Sequence, residues 1–287
     1  SPHDSKIIYY GTNMLMRSND RGYTWTEISD DLTTNNKTHQ GLMGGPITNE
    51  LDADAYNTIF YIVESPHEAG TIWVGSDDGL VHLTRDGGKN WENVTPSGVG
   101  EAFINAIEVS PHNPAKAYIA VDGHRSNDFT PSIYKTENYG RKWRKIVHGL
   151  PEDTFVRVVR EDLERPGLLY AGTESGVSVS FNDGSSWQSL QFNLPRVPVT
   201  ELKLRQGDIV VSTEGRDFWL LENPSPLRQL EASIEDADLH VFEPVDAYRI
   251  PNGKAIVYYY PGEWLEAQRF HDTCIVTSPA SGGQSFF

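Results

Sequence analysis

The sequence predicts an all-β fold, a β-propeller of about five four-stranded blades whose first blade lacks its N-terminal strand. Three observations carry this. An octet of the form Ser/Thr-x-Asp/Asn-x-Gly-x-x-Trp occurs four times. A Ser-Pro-His turn occurs three times, each ahead of a strand-like run. Short runs rich in Val, Ile and aromatic residues alternate with Gly-rich turns, the mark of repeated hairpins.

The octets are Ser18–Trp25 (SNDRGYTW), Thr84–Trp91 (TRDGGKNW), Thr136–Trp143 (TENYGRKW) and Ser180–Trp187 (SFNDGSSW). Each reads as the tight turn between the third and fourth strands of a unit of about 45 residues. Asp20, Asp86, Asn138 and Asn182 carry short polar side chains that bond nearby amides. Gly22, Gly88, Gly140 and Gly184 suit a positive φ. Trp25, Trp91, Trp143 and Trp187 open the next strand and are expected to pack on neighbouring units. The octets are therefore expected to build the fold; a calcium or ligand role for Asp20 or Asp86 is the alternative.

The Ser-Pro-His turns begin at Ser1, Ser65 and Ser110, ahead of KIIYYGT, TIWVGSD and KAYIAVD. A degenerate copy, REDLERPG, precedes LLYAGTE. Because the histidines recur at one turn of different units, they should lie apart, capping turns or facing solvent. Blades are expected over 1–31, 55–96, 103–150, 154–195 and 198–228. The fifth keeps its strand runs but has no octet. Residues 229–261 offer closing strands and 262–287 read as an irregular tail. Segment 239–250 is expected to fill the gap in blade one, although Pro244 limits it to an edge; pairing between two copies, giving a homodimer, is the alternative to a monomer.

Twenty-four basic residues against forty acidic ones give a net charge of −16. That disfavours a nucleic acid or an anionic membrane as partner. No run approaches the ~20 apolar residues of a membrane span. The single cysteine, Cys274, excludes an intrachain disulfide and a cysteine-based zinc site. No cofactor is expected, calcium being the one ion that oxygen-rich turns would suit. A secreted or periplasmic protein whose leader lies outside this sequence is expected, with the cytoplasm as the alternative.

The octets resemble Asp-box, or BNR, repeats. The phrases GTIWVGSDDGLVHLTRDGGKNWENVTP and GDIVVSTEGRDFWLLENPSPLRQL resemble a group of large bacterial propeller proteins labelled glycosyl hydrolase or sortilin N-terminal-like. The resemblance covers about residues 1–250 and implies a fold, since propellers host many activities. It also implies a fragment of a longer protein, because members of that group begin earlier and continue differently.

Fold analogy places ligands on the face carrying the loops between second and third strands. Those loops hold Asn13, Asp77, Asp78, Asp122, His124, Arg125, Glu174, Glu214 and Arg216. Asp77, Asp78, Glu174 and Glu214 are the catalytic candidates, because glycoside hydrolysis needs two carboxyl groups. Asn13, Asp122, His124, Arg125 and Arg216 are the ligand-binding candidates. His124 lies between Asp122 and Asp128, a pattern open to a base or metal reading. Arg216 reads as a carboxylate clamp or an intra-turn ion pair with Glu214 and Asp217. The linker 32–56 is expected to fold over the same face, where Glu50, Asp52 and Asp54 would add acidity. No G-x-S-x-G, H-E-x-x-H or P-loop motif occurs.

Two functions follow. One is a binding module for a carbohydrate or protein ligand. The other is a hydrolase, a glycosidase using paired carboxylates.

Overall fold

The computed structural model describes residues 1–37, 56–205, 207–230 and 241–243, and the backbone of 265–270 and 273–277. These residues form five antiparallel sheets in chain order. The first holds β1 (Ile8–Gly11), β2 (Leu15–Ser18) and β3 (Thr26–Glu27). The second holds β4 (Ile59–Glu64), β5 (Ile72–Ser76), β6 (Val81–Thr84) and β7 (Glu92–Asn93). The third holds β8 (Phe103–Val109), β9 (Ala117–Asp122), β10 (Ile133–Thr136) and β11 (Trp143–Lys145). The fourth holds β12 (Val156–Glu161), β13 (Leu169–Thr173), β14 (Gly176–Ser180) and β15 (Gln188–Ser189). The fifth holds β16 (Val199–Arg205), β17 (Asp208–Thr213), β18 (Phe218–Leu221), β19 (Leu265–Phe270) and β20 (Thr273–Thr277). One short helix, α1 (Ser225–Gln229), follows β18.

Each sheet is a meander, as expected of propeller blades, and among the described residues the first has no fourth, inner strand. The apolar core lies between the blades. Trp73, Leu83, Ile104 and Ile119 fill the gap between the second and third; Tyr118, Ile133, Val159 and Tyr170 fill the next. Burial of this apolar surface is the main force holding blade to blade.

The octets form one turn four times. Ser18, Thr84, Thr136 and Ser180 each accept, through Oγ, the amide of the octet glycine at 2.7–3.0 Å. The same hydroxyls donate to Asp20, Asp86, Asn138 and Asn182. The glycines sit at φ 76–95°, and a Cβ on Gly88 would stand 2.6 Å from the Ile28 carbonyl oxygen of the preceding blade.

The tryptophans then cross between blades. The indole nitrogens of Trp91, Trp143 and Trp187 donate to the carbonyls of Ile28, Val94 and Ile146 at 2.9, 2.6 and 2.8 Å. Each acceptor follows the last strand of the blade before. Trp25 belongs to blade one and bonds its own turn at Gly22; it is 39% exposed where Trp187 is 5% exposed.

The Ser-Pro-His turns do more than expected. Their serines cap the turn, each Oγ accepting the histidine amide at 3.2 Å. Their histidines are exposed at His3 and His67 and half-buried at His112, and each also bonds beyond its own turn. Nε2 of His3, His67 and His112 donates to the carbonyls of Ser65, Ser110 and Asp162, at 2.8, 3.0 and 2.7 Å. Each bond thus runs to the matching turn of the next blade. In blade four, Arg228 of α1 grips the Asp162 carboxylate through Nε at 2.9 and 3.0 Å.

One expectation about the chain end differs from the structure. The tail beyond 262 contains β19 and β20, whose sequences LEAQRF and TCIVT supply the strand-forming content. β19 pairs with β18 at the outer edge of blade five, through Phe218 and Ala267 among others. The proposed closing segment 239–250 lies outside the described residues except for 241–243.

Candidate functional site

The inner strands begin at the face carrying the turns between second and third strands, here called the upper face. All four complete inner strands share one irregularity. Their ladders skip a residue between Ile59 and Tyr61, Ile104 and Ala106, Val156 and Val158, and Val199 and Glu201. The skipped residues are Phe60, Asn105, Arg157 and Thr200. Each is exposed or half-buried, while the residue before it is buried. A bulge leaves one residue unpaired and re-aims its side chain. Four matching bulges therefore set Phe60, Asn105, Arg157 and Thr200 at the upper ends of the inner strands.

Arg157 organises the acidic candidates of blades four and five. Its Nε and Nη2 bind one oxygen of Glu174 at 3.1 and 2.9 Å. Its Nη2 also lies 3.8 Å from Glu214. Glu214 thus turns to blade four, correcting the expected intra-turn pairing with Arg216. Arg216 contributes its carbonyl, which accepts the Trp219 indole N–H at 2.8 Å. Asp217 likewise acts through its carbonyl, which accepts from Thr213.

Aromatic rings flank this cation. The Arg157 guanidinium lies 5.2 Å from the Phe155 ring centre, and His124 stacks on Phe155 at 5.1 Å. Arg125 sits over Phe103 at 4.1 Å, and Phe103 meets Phe60 edge-on. His124 Nδ1 lies 2.7 Å from Asp122 Oδ1. Asp128 instead accepts the Thr130 amide and hydroxyl, so His124 has one flanking carboxylate, not two.

The remaining acidic candidates are buried and engaged. Asp77 accepts the Thr58 amide at 2.8 Å and its hydroxyl at 3.0 Å. Burial pushes its pKa up, against the lowering effect of those bonds. Asp78 accepts the Thr34 amide and hydroxyl at 2.6 and 2.7 Å, and the Ser76 hydroxyl. These two residues pin the chain on either side of the long linker. Thr34 and Asn36 bond Asp78 and Glu101 at the upper face, whereas the rest of the linker, with Glu50, Asp52 and Asp54, falls outside the described residues.

Asn13 lies apart from the Arg157 cluster, in a cleft of about 510 Å³ between blades one and two. Its Nδ2 donates to Asp31 at 3.1 Å. Burial tends to raise the Asp31 pKa, but bonds from Thr33 and Asn13 leave it lowered.

Sequence reasoning missed Arg157 and Arg160. Arg160 is buried and ties four inner strands together. Its Nη2 donates to Tyr61 Oη at 3.0 Å and Glu201 at 2.7 Å, and its Nη1 meets Glu108 at 3.4 Å. Burial drives Glu108 up to about 7, with Arg160 opposing. The available signal was two arginines inside the apolar run TFVRVVR. Among the described residues, no group of three or more His, Cys, Asp or Glu side chains could hold a metal ion, and no helix is long and apolar enough to cross a membrane.

These sheets and bulges define an all-β propeller with a polar upper face. No protein-family model matches the chain. A Neosartorya fischeri protein described as "probable oligoxyloglucan-reducing end-specific xyloglucanase" is 33% identical over 134 residues. The match spans 43% of this chain and 14% of that protein. Among solved structures, an ancestral GH74 enzyme is 17% identical with a TM-score of 0.55, over 77% of this chain and 28% of its own. The GH74 xyloglucanase from Xanthomonas campestris is 16% identical with a TM-score of 0.55, over 80% and 36%. At such identities the structural likeness is one of fold.

Proposed function

We propose that this chain is a carbohydrate-binding propeller module whose ligand lies on the upper face. The observation that carries the reading is that four of the upper-face carboxylates are hydrogen-bonded within the protein, while Glu214 is exposed and only 3.8 Å from Arg157. Asp77 is bonded to Thr58, Asp78 to Thr34 and Ser76, Asp122 to His124, and Glu174 to Arg157. A retaining or inverting glycosidase needs a proton donor and a second carboxylate on opposite sides of the scissile bond. Glu174 and Glu214 come near one another, but the Arg157 guanidinium occupies the gap. A face of aromatic rings, guanidinium groups and oriented carboxylates suits recognition of sugar hydroxyls and ring faces.

In this reading Arg157, Glu174, Glu214, Arg125 and His124 contact ligand, while Asp77 and Asp78 hold the loops in place. The xyloglucan-active relative supports a glucan-type ligand. It also supports export, since plant-type polysaccharides are met outside the cell, and membership of a larger protein. The same relative and the Glu174–Glu214 pair favour a second reading, hydrolysis of such a glycan. Affinity electrophoresis through gels containing xyloglucan, mixed-linkage glucan or galactomannan tests the first. Retardation by one of them, reduced in Arg157→Ala, is the expected result; free migration through all three would overturn it.

A further inference from the structure

We infer that the cleft between blades one and two is a separate subsite for a neutral sugar unit, an inference that rests on the carbohydrate reading above. Its walls include Tyr10, Asn13, Asp31, Lys37, Tyr56 and Asn57. Its volume of about 510 Å³ lies within the usual range of small-molecule sites.

Asn57 carries the argument. It is 4% exposed, sits at φ 64°, and lines the cleft. Asn is one of the few residues other than Gly that tolerates this left-handed backbone. Its Oδ1 accepts the Asn36 backbone N–H at 3.2 Å. An N–H can point only at an acceptor, so that bond fixes which end of the amide is oxygen. Nδ2 is then a donor, and it has no hydrogen-bond partner among the described residues. Nδ2 has almost no solvent-accessible area, and a buried donor without an acceptor is costly; a ligand oxygen that reaches it as the amide turns toward the cleft removes that cost.

The rest of the lining narrows the ligand. Among the described residues Asp31 Oδ2 accepts one bond, from Asn13, and an oxygen with two lone pairs retains capacity for a hydroxyl. The held carboxylate and the chain's −16 charge disfavour an anion. Lys37 on the same wall opposes a cation. The Tyr10 ring is 59% exposed and braced edge-on by Trp25 at 5.9 Å. An aromatic face beside one unpartnered donor and one carboxylate matches the C–H face and hydroxyl edge of a pyranose.

Calorimetric titration with a xyloglucan oligosaccharide, D-glucose and D-xylose tests this on the full chain. Tyr10→Ala and Asn57→Asp, the latter replacing the donor with an acceptor oxygen and adding an ionisable group, are compared with wild type, with melting temperature recorded for each. At least a tenfold loss of oligosaccharide affinity in Tyr10→Ala is expected, and the same in Asn57→Asp if it folds. Monosaccharide binding that matches the oligosaccharide would make the subsite one for free sugar; oligosaccharide binding alone would make it one for a chain unit. Wild-type binding that survives unchanged in Tyr10→Ala overturns the subsite and leaves the carbohydrate reading standing. Absence of binding to any sugar by wild type overturns both.

Discussion

The two faces of the propeller are built on opposite rules. On the lower face, octets and Ser-Pro-His turns repeat with the same bonds in successive blades. Trp91, Trp143 and Trp187 reach back one blade, while His3, His67 and His112 reach forward one blade. On the upper face the bulge position repeats but the residue does not, running Phe60, Asn105, Arg157 and Thr200. Repetition therefore serves assembly, and variation on a repeated backbone gives the upper face the side chains on which the proposed recognition rests.

The largest expected effect lies on the lower face. Trp187→Ala removes a buried indole and its inter-blade bond, and should cost about 3–5 kcal/mol. Trp25→Ala, at the open edge, should cost less than half of that by denaturant unfolding. Equal losses would mean that the inter-blade bond and burial are not what the octet tryptophan contributes.

A smaller effect is expected from His112→Ala. The imidazole donates to the Asp162 carbonyl at 2.7 Å, so its removal should cost about 1–2 kcal/mol. Asn at the same position, able to donate but shorter, should not restore it. A loss no greater than for an exposed lysine, such as Lys89→Ala, would show the forward bond to be incidental.

The axial network gives a pH test. The Glu108 pKa rises in the folded protein to about 7 from the ordinary carboxyl value of 4.5, chiefly through burial, with Arg160 opposing. A raised carboxyl binds its proton more tightly when folded. Its contribution is therefore fully present below pH 4.5 and fades as the pH climbs through about 7. Glu108→Gln should flatten the fall in melting temperature over that window. An unchanged slope would locate the pH dependence elsewhere.

The lower face was the more legible because its signals are local. Octet positions one, three and five each name a bond or a φ value that one turn imposes. The histidine bonds between blades were not legible, since a turn motif gives no distance to its neighbour. Upper-face residues were placed on the correct loops, but their partners lie on other strands or in other blades. Asp77 faces Thr58 and Glu214 faces Arg157, and neither pairing follows from spacing. Arg160 was hidden for a related reason: a charge inside an apolar strand has meaning only once Tyr61, Glu108 and Glu201 stand around it. The pairing of β19 with β18 was not anticipated because the repeat pattern has faded there.

The most direct test of recognition without hydrolysis is a paired measurement on xyloglucan. The same wild-type preparation is titrated for binding and assayed for release of reducing ends over a long incubation. Binding with no rise in reducing ends is the expected result. Release of reducing ends that is abolished in Glu214→Gln or Glu174→Gln would contradict it and make the carboxylates beside Arg157 a catalytic pair.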